Sequence, residues 1–239
     1  MHSFAHRSQK KELLDGENIP FHHIKKNMQE LQFINATLGG HAITVAGLKK
    51  VIAQSKFRSP IQIVEIGCGG GDNLQAIKKW AVKNKIAVEL TGIDLNPECI
   101  LYAQGLKENT DIKFICSDYR KVHFEIVPDV IFSSLFCHHF SNNELAAMLQ
   151  WMKVNTSTGF FINDLHRHPF AYYSIKLLTS VFSKSYLVKN DAPLSVLRGF
   201  TKEEWKNIFY NAGISTYQCL WQWAFRWLII YKHKHATTV

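Results

Sequence analysis

The sequence predicts an α/β fold built around a parallel sheet. The first observation is the run from Ile61 to Ile66, a short β-branched apolar segment that breaks into the glycines of 67–71. Such a run is typical of a strand buried on both faces of a parallel sheet. The second is a helical pattern that follows at once, with Leu74 and Ile77 on one face. The third is a return to an apolar strand over 88–93, which ends in Asp94.

Length and composition favour one large domain of this class. The chain has 239 residues, of which 46% are hydrophobic, so a full core is expected and global disorder is excluded. Its five cysteines are odd in number and form no C-x-x-C pair, which favours reduced thiols over disulfides or a zinc knuckle. No stretch approaches the ~18 apolar residues of a transmembrane helix, and no signal-peptide pattern begins the chain. We therefore expect a soluble cytoplasmic protein without a transmembrane segment.

The net charge of +9 admits an anionic partner such as nucleic acid or a membrane surface. The lysines and arginines are scattered along the chain rather than massed in one tract. A solvated basic surface is therefore the preferred interpretation, and we do not expect nucleic acid as a partner.

The N-terminal part precedes the first strand and is predicted to be helical. Residues 1–18 contain few apolar anchors, so we expect a partly mobile terminus. Pro20 and the helical spacing after it predict a helix over about 20–36, and a second follows over about 41–55.

The glycine segment has the features of a ligand-binding loop. Glycines let the backbone turn sharply and leave room for a ligand to lie against it. Asp72 or Asn73 can cap the following helix, whose positive N-terminal end then faces that ligand. Asp94, at the end of the next strand, is placed to accept both hydroxyls of a ribose. These residues together predict a site for a nucleoside-type cofactor.

The glycine spacing separates two kinds of cofactor. The dinucleotide pattern G-x-G-x-x-G fails, because its last position is Asp72, whereas G-x-G-x-G fits Gly67, Gly69 and Gly71. The segment 64–71 resembles motif I of the class I S-adenosylmethionine (SAM)-dependent methyltransferases, and 92–97 resembles their motif II. The resemblance covers about 58–232. It implies SAM as cofactor and S-adenosylhomocysteine as product. It also implies a Rossmann-like three-layer sandwich with a seven-stranded, mostly parallel sheet whose last strand is antiparallel.

The resemblance also assigns residues to the cofactor. Asp118, after a third strand over 112–116, stands where the family places a carboxylate that takes the adenine amino group, and Tyr119 is placed to flank the ring. The full predicted set is Glu65, Gly67, Cys68, Gly69, Gly71, Asn73, Asp94, Leu95, Asp118, Tyr119 and Ser134.

A loop after the fourth strand (128–134) carries the candidate catalytic residues. Ser141 and Glu144 read as a capping box, and Phe140 with Leu145 as a hydrophobic staple, so 135–140 is pinned between strand and helix. In the resembling family the transferable methyl group is presented near this loop. One of His138 and His139 is therefore a candidate catalytic residue, and the alternative is that the histidine only shapes the pocket.

The segment after the fifth strand (159–164) is predicted to be an inserted helical lid over about 165–198. With Phe136, its residues His166, Tyr172 and Tyr173 are expected to line the acceptor pocket. His166 and His168 lack a third ligand, so no metal is predicted. The predicted organisation is an N-terminal helical cap, 1–57, followed by a methyltransferase domain, 58–239.

A second capping box, formed by Thr201 and Glu204, predicts the start of a further helix. This helix is expected to end at Gly213. A strand near 214–218 and a second over 221–231, with aromatic residues at period two, are predicted to complete the sheet.

The resemblance implies methyl transfer, and the expected pocket residues Phe136, Tyr172 and Tyr173 suit a small, aromatic or apolar acceptor, with O-methylation favoured. Two alternatives stay open: an RNA methyltransferase, and a SAM-binding partner subunit or sensor that does not turn over. The acceptor and the oligomeric state are not determined by the sequence.

Overall fold

A computed structural model describes residues 4–16, 19–53, 55 and 59–233 of the chain. Its centre is a seven-stranded sheet in the order β3-β2-β1-β4-β5-β7-β6. The strands β1 to β5 are parallel, and β7 is antiparallel to both of its neighbours. Their bounds are β1 Ile61–Ile66, β2 Val88–Asp94, β3 Ile112–Cys116, β4 Val130–Ser134, β5 Gly159–Leu165, β6 Gln218–Gln222 and β7 Arg226–Lys232. The predicted fold class is confirmed.

Helices cover both faces of the sheet. Their bounds are α1 Phe21–Thr37, α2 Gly40–Ile52, α3 Asp72–Lys83, α4 Pro97–Gln104, α5 Asn142–Val154, α6 Pro169–Phe182, α7 Tyr186–Arg198 and α8 Lys202–Asn211. One core cluster joins α2 and α3 to the sheet around Phe132 and Phe161, whose rings stack at 4.8 Å. The other joins α5 and α8 to the opposite face around Phe160 and Trp205. The core therefore forms two layers, one on each side of the sheet.

Both predicted capping boxes are present. The Ser141 hydroxyl and the Glu144 carboxylate cap α5 reciprocally, and Thr201 and Glu204 do the same for α8. These local hydrogen bonds fix where each helix begins, and the first fixes the end of the 135–140 loop.

The C-terminal hairpin differs from the prediction. The strands lie at 218–222 and 226–232 rather than at 214–218 and 221–231, with a three-residue loop between them. In that loop Ala224 and Phe225 have φ of +59° and +55°, a left-handed conformation usually signalled by Asn or Gly. The sequence did not predict the position of this turn, because the loop contains neither glycine nor asparagine.

Residues 4–16, for which the sequence predicts partial mobility, pack along the segment 165–198. The Arg167 guanidinium donates to the backbone oxygens of Phe4 at 3.0 Å and Ala5 at 3.3 Å. The Ser8 amide donates to the Leu197 oxygen at 2.9 Å. The predicted domain boundary at 57/58 falls outside the described residues, so the division stays a prediction. No helix in the described ranges combines the length and apolarity needed to cross a membrane.

Candidate active site

A cavity of about 1080 Å³ lies at the carboxyl ends of the parallel strands. The glycine loop, the end of β2 and the 135–140 loop form its floor. Residues 12–16, α1 and α6 cover it. Ligands of open α/β sheets bind at this edge, so the fold places the candidate site where the sequence predicts it.

Backbone donors hold the Asp94 carboxylate at the end of β2. The Gly69 amide donates to Asp94 Oδ2 at 2.8 Å, and the Asn96 amide donates to Oδ1 at 2.9 Å. Burial raises the pKa of Asp94, while these two amides favour its charged form. Each oxygen keeps a lone pair for a further donor, which is what a ribose diol requires.

Glu65 supports the glycine loop from beneath. The Asn73 amide donates to Glu65 Oε1 at 3.1 Å, and the Thr44 hydroxyl donates to Asn73 Oδ1 at 2.9 Å. Burial raises the pKa of Glu65 well above its usual value, and Oε2 has no hydrogen-bond partner among the described residues. This chain of side chains ties β1 and α2 to the first turn of α3.

The predicted cofactor residues fall into three groups. Gly67, Cys68, Gly69, Asn73, Asp94, Leu95 and Ser134 line the cavity, whereas Glu65 and Gly71 lie behind its wall. Asp118 and Tyr119 lie off the cavity. The Arg120 guanidinium donates to Asp118 Oδ1 at 2.9 Å, and the Tyr119 ring packs edge-on against Trp151 at 4.9 Å. An adenine role for these two residues stays a prediction.

The 135–140 loop is held by three charged side chains from other segments. Asp164 Oδ2, near the end of β5, accepts from the amides of residues 136 and 137 at 3.1 and 2.7 Å. Arg198 donates to the His138 oxygen at 3.0 Å and the His139 oxygen at 2.9 Å. Arg7 also donates to the His138 oxygen, at 3.1 Å. The loop therefore depends on the end of α7, the end of β5 and the N-terminal segment for its shape.

His138 is buried between two carboxylates. Its Nδ1 lies 2.8 Å from Asp164 Oδ1, and its Nε2 lies 3.5 Å from Glu12 Oε1. Burial opposes the imidazolium, but Asp164 and Glu12 outweigh it and raise the pKa of His138 to about 9. At neutral pH His138 is therefore protonated and positively charged. Because the protonated ring has no free lone pair, His138 is not a general base.

His139 is half-buried and lines the cavity. Its Nδ1 lies 3.2 Å from Asp15 Oδ1, while its Nε2 lies 3.9 Å from Glu12 Oε2, beyond hydrogen-bond reach. A carboxylate on Nδ1 fixes the tautomer that leaves a lone pair on Nε2, which is the arrangement of an oriented base.

The same side chains have the composition of a cation site. Glu12, His138 and His139 each offer one ligand atom, and these atoms lie within 4.8 Å of one another. The proton on His138 competes with a metal for Nε2, since a ligating imidazole must be neutral. Among the described residues, His166 and His168 belong to no such group.

The predicted acceptor residues are only partly brought together. The Phe136 ring lies over Gly67, where an added Cβ would come within 2.2 Å of Phe136 Cδ2. His166, Tyr172 and Tyr173 do not line the cavity. Tyr172 packs against Phe4 at 5.7 Å, and His166 packs against Trp227 at 4.9 Å. The cavity side of α6 instead consists of Phe170, Ala171, Ser174, Ile175 and Leu178.

Sequence reasoning missed the carboxylates Glu12, Asp15 and Asp164. Asp164 carried a signal, because it nearly ends a predicted core strand at the ligand-binding edge. No sequence pattern indicated Glu12 and Asp15, since they precede the first predicted helix and lie near the site only in the folded chain.

The comparisons agree with this geometry. Residues 63–159 match a family model described as a methyltransferase domain. This match identifies a methyltransferase domain in the part of the chain that contains the glycine loop, Asp94 and the 135–140 loop. The Asp94 carboxylate and the open backbone of the glycine loop fit SAM, the cofactor predicted from the sequence. No curated protein sequence matches this methyltransferase with significance.

Solved structures share the fold of this methyltransferase. The plantazolicin methyltransferase BpumL, bound to S-adenosylhomocysteine and a monoazolic desmethyl analog, is 18% identical. The match covers 87% of this chain and 90% of that one, with a TM-score of 0.63. The plantazolicin methyltransferase BamL is 21% identical over 81% and 70% of the two chains, with a TM-score of 0.58. Human N-acetylserotonin methyltransferase with SAM is 17% identical over 89% and 56%, with a TM-score of 0.60.

Proposed function

We propose that this methyltransferase methylates the hydroxyl group of a small aromatic or apolar acceptor, with His139 as the general base. The observation that carries the proposal is the Asp15–His139 pair in the wall of the cavity. SAM supplies a methyl group that is already activated on a sulfonium. The protein therefore has to align the acceptor, exclude water and remove a proton.

The acceptor class follows from the cavity lining. Apolar side chains of α1, α6 and the 135–140 loop make up most of the wall, including Ile24, Leu31, Phe136, Ile175 and Leu178. Such a wall favours an apolar ring or chain, with its polar group turned to the few polar residues. Among these, Glu12, Asp15 and His139 stand together, so the reacting hydroxyl is directed to them.

A base is useful for this acceptor class. A phenol has a pKa of about 10 and is mostly protonated at neutral pH. His139 Nε2 is the available lone pair, and proton removal by a positioned base contributes ~10²–10⁴-fold. His138 acts differently, because its fixed positive charge keeps Glu12 ionised beside it.

The test is His139→Gln, with His166→Gln as a matched control off the cavity. S-adenosylhomocysteine release would be followed over a panel of alkylated phenols from pH 6 to pH 10. We expect kcat to fall ~10²-fold or more at pH 7 with unchanged SAM affinity, and to recover at high pH where the phenol ionises unaided. The control should keep its kcat. A normal kcat at pH 7 in His139→Gln, or a change confined to KM, would remove the base role.

A further inference from the structure

The outer face of α6 is apolar and exposed. Leu177 is 66% exposed and Phe182 is 76% exposed, although both have large apolar side chains. The full set is Phe170, Tyr173, Leu177, Leu178, Val181 and Phe182, which we call the α6 face. These positions follow the three- and four-residue spacing of one helix side. A contiguous apolar stripe of this kind marks an interaction surface.

Basic groups accompany the α6 face without any acidic counterpart on the segment. Residues 165–190 contain no Asp or Glu. Lys176 is exposed on α6 itself, and Lys184 is exposed just beyond its end. Lys26 of α1 donates to the Lys184 oxygen at 3.0 Å, which brings a third ammonium to this end of the helix. Glu30 of α1 also lies here, with its carboxylate accepting from the Ser183 hydroxyl and from the Lys184 and Ser185 amides, so the positive charges outnumber the negative one. Apolar residues flanked by lysines form the pattern of a helix that lies in a membrane interface.

The cavity opens beside the α6 face. Phe170 and Leu178 are exposed and also line the cavity, so α6 presents one side to the acceptor pocket and the other to solvent. Trp223, in the β6–β7 loop, lines the cavity as well and is 72% exposed. Exposed tryptophan is characteristic of the membrane–water boundary. The mouth of the cavity and the apolar surface are thus continuous.

We propose that the α6 face docks this methyltransferase on an anionic lipid surface, so that an apolar acceptor enters the cavity from the lipid phase. The docking itself is independent of the proposed function, and only the route of the acceptor rests on it. A second copy of the chain fits less well. A two-fold contact brings the same patch together, so that Lys26, Lys176 and Lys184 of each copy outnumber Glu30, whose carboxylate is already hydrogen-bonded by residues 183–185. Anionic headgroups supply the missing negative charge.

Vesicle co-sedimentation without acceptor tests the docking. Wild-type protein should bind vesicles containing phosphatidylglycerol and phosphatidylcholine in equal amounts, and bind pure phosphatidylcholine at least tenfold more weakly. The triple variant Leu177→Ser/Val181→Ser/Phe182→Ser should lose at least tenfold in binding to the mixed vesicles. The double variant Lys176→Gln/Lys184→Gln should lose most of the preference for anionic vesicles, because its attraction to the headgroups is weakened.

A matched control removes three exposed apolar side chains elsewhere. Val82→Ser/Val154→Ser/Tyr210→Ser alters α3, α5 and α8 and should leave vesicle binding unchanged. SAM titration checks that every variant is folded. No vesicle binding by the wild type, or equal losses in the two triple variants, would overturn the proposal. A wild-type dimer that the α6 triple variant dissociates, with no vesicle binding, would instead assign the face to a second copy. Methylation of a dispersed acceptor without vesicles separates a failure of docking from a failure of the proposed function.

Discussion

The buried His138 imidazolium predicts a specific loss of stability at alkaline pH. Its pKa is raised from 6.5 to about 9 in the folded chain, where Asp164 and Glu12 hold the charged form. Below pH 6.5 both the folded and the unfolded state carry the proton, so the stabilisation is fully present. As the pH rises towards 9, only the folded state keeps the proton, and the free energy of unfolding falls by ~1.4 kcal/mol per pH unit. The loss over the whole window is about 3 kcal/mol, since each pKa unit corresponds to ~1.36 kcal/mol.

Two measurements check this stabilisation. Urea unfolding of wild type and His138→Gln at several values between pH 7 and pH 9 should give curves that converge as the pH rises. His166→Gln is the control. Among the described residues no carboxylate pairs with its imidazole, and burial lowers its pKa, so this variant should run parallel to wild type in this range. The midpoint of the His138 ring resonances in NMR should lie near pH 9. A midpoint near 6.5, with parallel unfolding curves for His138→Gln, would refute the reasoning.

Further outcomes concern the cofactor site and the candidate cation site. Asp94→Ala should weaken SAM binding by ~1.5–3 kcal/mol in calorimetry, the range for hydrogen bonds to a charged group, and unchanged affinity would remove Asp94 from the ribose. Gly67→Ala should abolish SAM binding, because φ is +69° and the new Cβ would meet the Phe136 ring, whereas Gly213→Ala, with φ of +66° and open space, should retain it. Dialysis against EDTA should leave methyl transfer unchanged. Activity lost on dialysis and restored by Zn²⁺ would make Glu12 and its two histidines a metal site.

Local patterns predict most of this fold. The apolar runs give β1 to β5 within a few residues, because a strand buried on both faces leaves few polar positions. The two capping boxes predict the starts of α5 and α8 from four residues each. The β6–β7 turn could not be found this way, since Ala224 and Phe225 adopt left-handed backbone without glycine or asparagine. Its geometry is set by the sheet pairing on either side.

The candidate site is predictable only where one motif contains it. The glycine loop and Asp94 are neighbours along a single strand–helix–strand unit, so their spacing reveals them. The choice between His138 and His139 depends on Glu12, Asp15 and Asp164, which come from two distant segments. Sequence spacing carries no information about which imidazole is buried between carboxylates and which faces the cavity.

The residues that hold the 135–140 loop come from a different part of the chain than the cofactor residues. The family-model match covers 63–159, whereas Arg7, Glu12, Asp15 and Arg198, which shape the loop and its histidines, all lie outside it. Substitutions in the N-terminal segment or in α6 and α7 can therefore retune the acceptor while the SAM-binding core stays unchanged. Likeness in the matched segment alone therefore does not identify the acceptor.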